Sequence, residues 1–242
     1  MTLVTKYIPN ILTLFNLSSG LLALIFVFKQ QWHFVAFFVA LGIFFDFFDG
    51  LAARSFKVSS SLGLQLDSLA DMVTSGVVPG FVLVFLLADS LHIHFLKDFQ
   101  FDRLHLWALS GLIVTLASAY RLAKFNIDER QTSSFIGLPT PANALFMVAL
   151  PLIIYDSQFS FLKNSLLNPF VLTVITLISA YLLNAELPLF SLKFKDFSWQ
   201  NNWPKYVLIL ASIVLIVFFK FLSIPLIIIL YILLSLVTPK GK

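Results

Sequence analysis

Long apolar runs separated by short polar clusters dominate this chain, and their spacing predicts helices that cross a bilayer. Crossing ~30 Å of hydrocarbon takes about 20 apolar residues in a helix. Eight runs reach or approach that length, at about 10–28, 34–53, 64–88, 104–123, 140–155, 169–185, 206–219 and 226–237. KQQWH ends the first, Arg54 the second and Lys124 the fourth, while Lys220 to Pro225 divides the last two. The pattern predicts an all-α polytopic membrane bundle of about eight helices. It shows no internal repeat and no soluble domain, so residues 1–242 read as one domain. Lys193–Lys205 would divide a six-helix body from a C-terminal pair at about 204–238.

Composition agrees. The chain is 59% hydrophobic and 12% charged, with mean hydropathy +0.94. Soluble domains carry about 25% charged residues, so too little polar material is present to coat a globule. The expected surroundings are a lipid bilayer, with no nucleic-acid partner. The opening stretch has one Lys, Lys6, and no small-residue cleavage site, and Asn16 interrupts its apolar run. It reads as a retained first helix rather than a signal peptide. With no cysteine, disulfides and thiolate metal sites are excluded. With strict alternation from an inner N-terminus, eleven of the 16 Lys and Arg fall on inner segments and five on outer ones. The positive-inside rule then places both termini in the cytoplasm.

Against this background Asp46–Asp71, DFFDGLAARSFKVSSSLGLQLDSLAD, is anomalous. Carboxylates beside hydrocarbon are costly and mark a functional site. Asp46 and Asp49 are three apart, Asp67 and Asp71 four apart, so each pair shares one helix face. The first pair closes helix two and the second opens helix three, so a hairpin through Arg54–Gly63 would bring all four together. Capping could account for Asp67 and Asp71 at a helix start, but not for Asp46 inside an apolar run. Four such acids repel one another unless a cation neutralises them. All-oxygen ligands suit Mg²⁺, Mn²⁺ or Ca²⁺ rather than zinc. Four carboxylates can hold two divalent cations, an arrangement that activates phosphoryl centres. The charge topology puts this stretch at the cytoplasmic face.

The spacing Asp46-x2-Asp49-Gly50-x2-Ala53-Arg54-x8-Gly63-x3-Asp67-x3-Asp71 resembles the full signature of the CDP-alcohol phosphotransferases. PNILTLFNLSSG (9–20), DSLADMVTSGVVP (67–79), RLAKFN (121–126) and FIGLPTPA (135–142) resemble the branch of that family that makes phosphatidylserine. The resemblance covers about residues 8–190. It implies an integral enzyme of the inner, cytoplasmic membrane that moves the phosphatidyl group of CDP-diacylglycerol to L-serine and releases CMP. It further implies that Asp46, Asp49, Asp67 and Asp71 bind two divalent cations, Mg²⁺ or Mn²⁺, and that Asp71 is also the general base. Gly50, Ala53 and Arg54 would hold the CDP part of CDP-diacylglycerol, with Asn10, Thr13 and Ser60 reaching the nucleotide. A homodimer is expected on the same ground. Lys124 departs from the Arg more usual in this branch, keeping charge but losing the planar fork.

Arg121 and Lys124 lie one turn apart on the side of the acids. Basic residues at such a helix end also satisfy the positive-inside rule. The functional reading is that they bind the acceptor's carboxylate or a lipid phosphate, with Asn126 assisting. Pro139 and Pro141 break the chain before helix five. His33, His92, His94 and His105 fall in outer, wet positions without a role. Asn16-x3-Gly20 and Ser18-Ser19 suit close helix packing, and Trp199 and Trp203 an interfacial belt. Two alternatives remain. The same chemistry could serve another alcohol, such as glycerol 3-phosphate, inositol or choline. A cation-coupled transporter would instead put its acids at the midplane of broken helices, and it leaves Gly50, Ala53, Arg54 and Gly63 unexplained.

Overall fold

The structure is a computed structural model, and it describes residues 3–58, 60–97, 99–128, 134–156, 158, 160–190 and 198–237. All eight apolar runs are helical. Helices α1 (Leu3–Phe28) and α2 (Trp32–Ser55) form an antiparallel pair turning at Gln30, whose φ of 53° lets the chain reverse. The third run is one continuous rod: α3 (Ser61–Asp71), a π-helical turn (Met72–Val77) and α4 (Val78–Ser90). Pro79 stands just past the π turn, has no N–H for the ladder, and in a regular α-helix its ring would crowd the carbonyl of Ser75. A wider π turn absorbs this. Thr115 donates its hydroxyl to the Gly76 carbonyl at 2.9 Å.

The fourth run comprises α5 (Arg103–Leu109), a 3₁₀ turn (Ser110–Leu112) and α6 (Ile113–Ile127). The chain continues through β1 (Ser134–Ile136), α7 (Thr140–Tyr155), the short α8 (Ser160–Leu166), α9 (Pro169–Asn184) and β2 (Pro188–Phe190). It ends in α10 (Trp199–Phe219) and α11 (Ser223–Val237), which pack together across a break at Lys220, where φ is 44°. The strands form an antiparallel ribbon, Phe135 opposite Leu189. Gly137, with φ 76°, turns β1 onto the end of α9, where a Cβ would sit 2.6 Å from the Leu183 carbonyl. Pro139 and Pro141 then start α7, as the sequence predicts.

Among the described residues, five helical stretches are long and apolar enough to cross a membrane: Tyr7–Phe28, Trp32–Ser55, Ser61–Ser90, Arg103–Ile127 and Asn202–Val237. The bent pair α8 and α9 makes a sixth if it is one span, and α7 is a shorter apolar helix. The α3–α4 rod is the central element. Its α4 half is buried along nearly its whole length and joins α1, α2, α6, α7 and α9 in the main core. A second core, around Leu138, Leu189, Leu208, Ile228 and Tyr231, docks α11 against α7 and the ribbon. Outward faces carry exposed Phe37, Phe44, Phe47 and Phe218, the surface a lipid-embedded helix presents. The protein is an integral membrane protein of the all-α class.

Small residues set the close approaches. A Cβ on Gly80 would lie 1.9 Å from Thr115 Oγ1, and one on Gly111 would lie 2.6 Å from the Val84 nitrogen. A Cβ on Gly20 would fall 2.4 Å from Thr74 Oγ1, consistent with the packing role expected for that glycine. One expectation about the outer side is corrected. His105 is not in a wet loop: it is 5% exposed in the first turn of α5, with Nδ1 2.7 Å from Asp102. Asp102 caps that helix by accepting from the His105 backbone N–H, and the cap draws the ring inward. His92 and His94 are exposed, as expected. The basic segment Lys193–Lys205 lies in part outside the described residues, as do Arg130, Lys240 and Lys242.

Candidate metal centre and its surroundings

The carboxylates stand inside the bundle. Asp46 is nine residues from the end of α2, roughly 14 Å of helix at 1.5 Å per residue. Asp67 is six residues into α3. Ser60 caps α3 by accepting from the Gly63 N–H at 2.9 Å. Oxygens of Asp46, Asp49 and Asp67 then lie within 4.8 Å of one another. Among the described residues this is the one group of three or more acids and histidines compact enough to hold a metal ion. Its donors are all carboxylate oxygens, and Oδ1 of Asp67 is buried without a hydrogen-bond partner among the described residues. An orphaned anionic oxygen facing two further carboxylates fits a hard divalent cation.

Asp71 lies one turn further along α3, within electrostatic range of Asp46, Asp49 and Asp67. Its Oδ1 accepts from Asn16 Nδ2 at 3.1 Å. Asn16 is fully buried, and its Oδ1 has no hydrogen-bond partner among the described residues. Its backbone carbonyl accepts from Thr74 Oγ1 at 3.1 Å. Its Oδ1 lies 2.9 Å from where a Cβ on Gly42 would stand. Asp49, 6% exposed, accepts from Thr13 Oγ1 at 2.5 Å. Helix α1 therefore supplies one oriented donor to each acidic pair. The packing reading of Asn16 missed its contact with Asp71. An Asn three residues after Thr13, on the same helical face, was the available signal.

The remaining candidates divide into three places. At the hairpin, a Cβ on Gly63 would meet Asn10 Oδ1 at 3.2 Å and Ser60 Oγ at 3.0 Å, so these three adjoin. Beside them the Arg54 guanidinium folds back over Gly50, where a Cβ would lie 3.6 Å from Nη1. Ala53 is half-buried in the same turn. On α6, Arg121 is 7% exposed, inside the bundle and within electrostatic range of Asp71. Its guanidinium lies 5.8 Å from the Phe125 ring centre, and its Nε has no hydrogen-bond partner among the described residues. Lys124 points elsewhere and pairs with Glu186 at 3.6 Å, so the structure does not bring it to Arg121. Asn126 bonds Ser68 at 2.9 Å, tying the end of α6 to the turn that carries Asp67. A separate cavity of about 590 Å³, lined by Gln30, Trp32, Tyr155 and Asp156, lies at the α1–α2 turn, away from the acids.

Comparison with known proteins gives one family. The CDP-alcohol phosphatidyltransferase family model matches residues 6–183. The CDP-diacylglycerol–serine O-phosphatidyltransferase of Helicobacter pylori is 30% identical over 210 residues, covering 86% of this chain and 81% of its own. The enzyme of that name from Bacillus subtilis is 36% identical over 145 residues, 60% of this chain and 75% of its own. That from Methanocaldococcus jannaschii is 33% identical over 160 residues, 66% of each chain.

Proposed function

This chain belongs to the CDP-alcohol phosphatidyltransferase family, and we propose that it transfers the phosphatidyl group of CDP-diacylglycerol to L-serine, giving phosphatidylserine and CMP. The observation that carries the reading is the acidic trio within 4.8 Å, with Asp71 one turn away on the same rod. Relatives bearing the serine transferase name support the choice of acceptor.

The serine hydroxyl oxygen attacks the phosphorus that carries diacylglycerol. The P–O bond to the bridging pyrophosphate oxygen breaks, and CMP leaves with that bond's electron pair. A serine hydroxyl is a poor nucleophile at neutral pH, and Asp71 takes its proton. The Asn16 amide holds Asp71 Oδ1 and leaves Oδ2 to face the acceptor. Thr13 fixes Asp49 in the same way. Asp46, Asp49 and Asp67, with Asp71 at their edge, would hold two divalent cations, Mg²⁺ or Mn²⁺, which when bound neutralise pyrophosphate charge and favour CMP departure. Gly50 leaves room beside the Arg54 guanidinium, which pairs with donor phosphate. Asn10 and Ser60, meeting at Gly63, contact the nucleotide.

The topology in this reading has eight crossings in one domain, both termini and the acids facing the cytoplasm, in the cell's inner membrane. The distribution of Lys and Arg supports it. The homodimer rests on the family resemblance alone. The deciding experiment offers purified protein CDP-diacylglycerol with Mg²⁺ or Mn²⁺ and a panel of alcohols: serine, glycerol 3-phosphate, inositol and choline. Phosphatidylserine is the expected product. A different lipid in its place overturns the acceptor, and no CMP release with any alcohol overturns the reaction.

A further inference from the structure

We propose that the cavity at the α1–α2 turn seats the headgroup of a zwitterionic phospholipid that ends in a primary amine. The cavity measures about 590 Å³, and Gln30, Trp32, Pro151, Leu152, Tyr155 and Asp156 are among the residues that line it. It stands at the opposite end of α2 from the acids: Trp32 opens that helix, and the stretch from there to Asp46 is roughly 21 Å at 1.5 Å per residue. The two apolar spans stop at Phe28 and resume at Trp32, so Gln30 lies between them at headgroup depth. Pro151 and Leu152, both buried in α7, give the cavity its apolar part.

Charge decides which headgroup fits. Asp156 caps the C-terminus of α7. Asp89 lies in the last turn of α4 and accepts from the Tyr155 hydroxyl. Helix α1 ends at the same turn. The C-terminus of a helix is the negative end of its dipole, so both carboxylates add to a field that is already negative. Neither forms an ion pair among the described residues. Asp156 Oδ1 accepts from the Gln158 N–H at 2.8 Å, which holds the carboxylate in place. Beside it the Trp32 and Tyr155 rings stack, their centres 6.3 Å apart and their planes 3° from parallel. Aromatic faces attract ammonium groups. Lys163 brings the opposite charge, its Nζ 5.7 Å from the Tyr155 ring centre. A headgroup with a primary amine carries both charges, two carbons separating the phosphate ester oxygen from the nitrogen. Its ammonium meets Asp156 and the ring pair, and its phosphate meets Lys163. A glycerol headgroup has no cation to offer. Choline has one, but no N–H for Asp156, and a serine headgroup adds a carboxylate that Asp89 and Asp156 repel.

The test titrates the purified chain in detergent with phosphatidylethanolamine, phosphatidylcholine and phosphatidylglycerol of one acyl composition, and counts bound lipid by native mass spectrometry. Phosphatidylethanolamine should bind tightest. Asp156→Asn keeps the shape and the acceptor for Gln158 but loses the charge. It should weaken phosphatidylethanolamine binding about tenfold or more, the scale of one charge-assisted hydrogen bond, and leave phosphatidylglycerol binding unchanged. Trp32→Leu should weaken it roughly threefold or more through the lost ring. Melting curves without lipid show whether the variants fold, and Trp32→Phe, which keeps a ring and should keep the lipid, serves if the leucine variant does not. Equal binding of the three lipids overturns the seat. So does phosphatidylcholine bound as tightly as phosphatidylethanolamine, or an Asp156→Asn protein that binds phosphatidylethanolamine as wild type does.

Discussion

Asn16 Nδ2 donates to Asp71 Oδ1 at 3.1 Å across 55 residues of chain, joining the first helix to the rod that carries the proposed base. Asp71→Asn should abolish CMP release while the protein folds and still binds CDP-diacylglycerol. Asn16→Ala should lower kcat with KM for the donor little changed, and by less than the roughly hundred- to ten-thousandfold that a general base itself contributes, because Asn16 only orients the base. Steady-state CMP release by both variants, beside their melting curves, checks this. Turnover of Asp71→Asn at the wild-type rate would remove Asp71 from the role.

The trio Asp46, Asp49 and Asp67 places three carboxylate oxygens within 4.8 Å, where the ionised acids repel one another until a cation or a proton neutralises them. Chelation should stop transfer, and adding back Mg²⁺ or Mn²⁺ should restore it. Binding to the folded state alone adds about 2.7 kcal/mol at a hundredfold excess over Kd. Thermal stability should therefore rise with the same cation, and an Asp67→Asn variant should lose most of that rise. Undiminished transfer in chelator would refute the metal centre.

Gly111 meets α4 at backbone, with the Val84 nitrogen 2.6 Å and the Leu83 carbonyl carbon 2.9 Å from a built Cβ. Backbone cannot swing aside as a side chain can. Gly111→Ala should destabilise by about 1–3 kcal/mol, the ordinary cost of overpacking. Gly50→Ala meets only the flexible end of Arg54 at 3.6 Å and should melt like wild type while weakening donor binding. Thermal melts of the two variants, set against KM for CDP-diacylglycerol, separate packing from function.

Asp102 caps α5, and the backbone N–H of His105 holds its carboxyl below the usual carboxylate range. A depressed folded-state pKa gives stability that is present above the unfolded value of about 3.9 and lost as pH falls through the folded one. Asp102→Ala should therefore lower the melting temperature at neutral pH, and the gap from wild type should close below about pH 4. A gap independent of pH would mean the cap acts through shape alone.

The membrane class was legible because apolar runs of this length have no other use, and each became helix. The acidic hairpin was legible because helical spacing of three and four residues fixes a face without tertiary help. Where distant segments meet was not. Nothing local tells that Lys124 pairs with Glu186, 62 positions on, while Arg121 one turn earlier turns inward. The cap at Asp102 pulled His105 out of water, against the expectation from a polar loop. A two-stranded ribbon after α6 was hidden too, since three-residue strands have no readable period.

The sequence by itself determined the all-helical membrane class, the four carboxylates on two helix faces and the glycines beside them, because these depend on hydrophobic length and on spacing within a turn. Tertiary structure alone decided which partner each of those acids takes. Asp46, Asp49 and Asp67 close into one ligand group, while Asp71 is turned to Asn16. Gly20 and Gly42 let Thr74 enter between α1 and α2, and Thr74 holds Asn16 in place. That division is a matter of packing between three helices, and a distance between helices is set by side chains far apart in the chain.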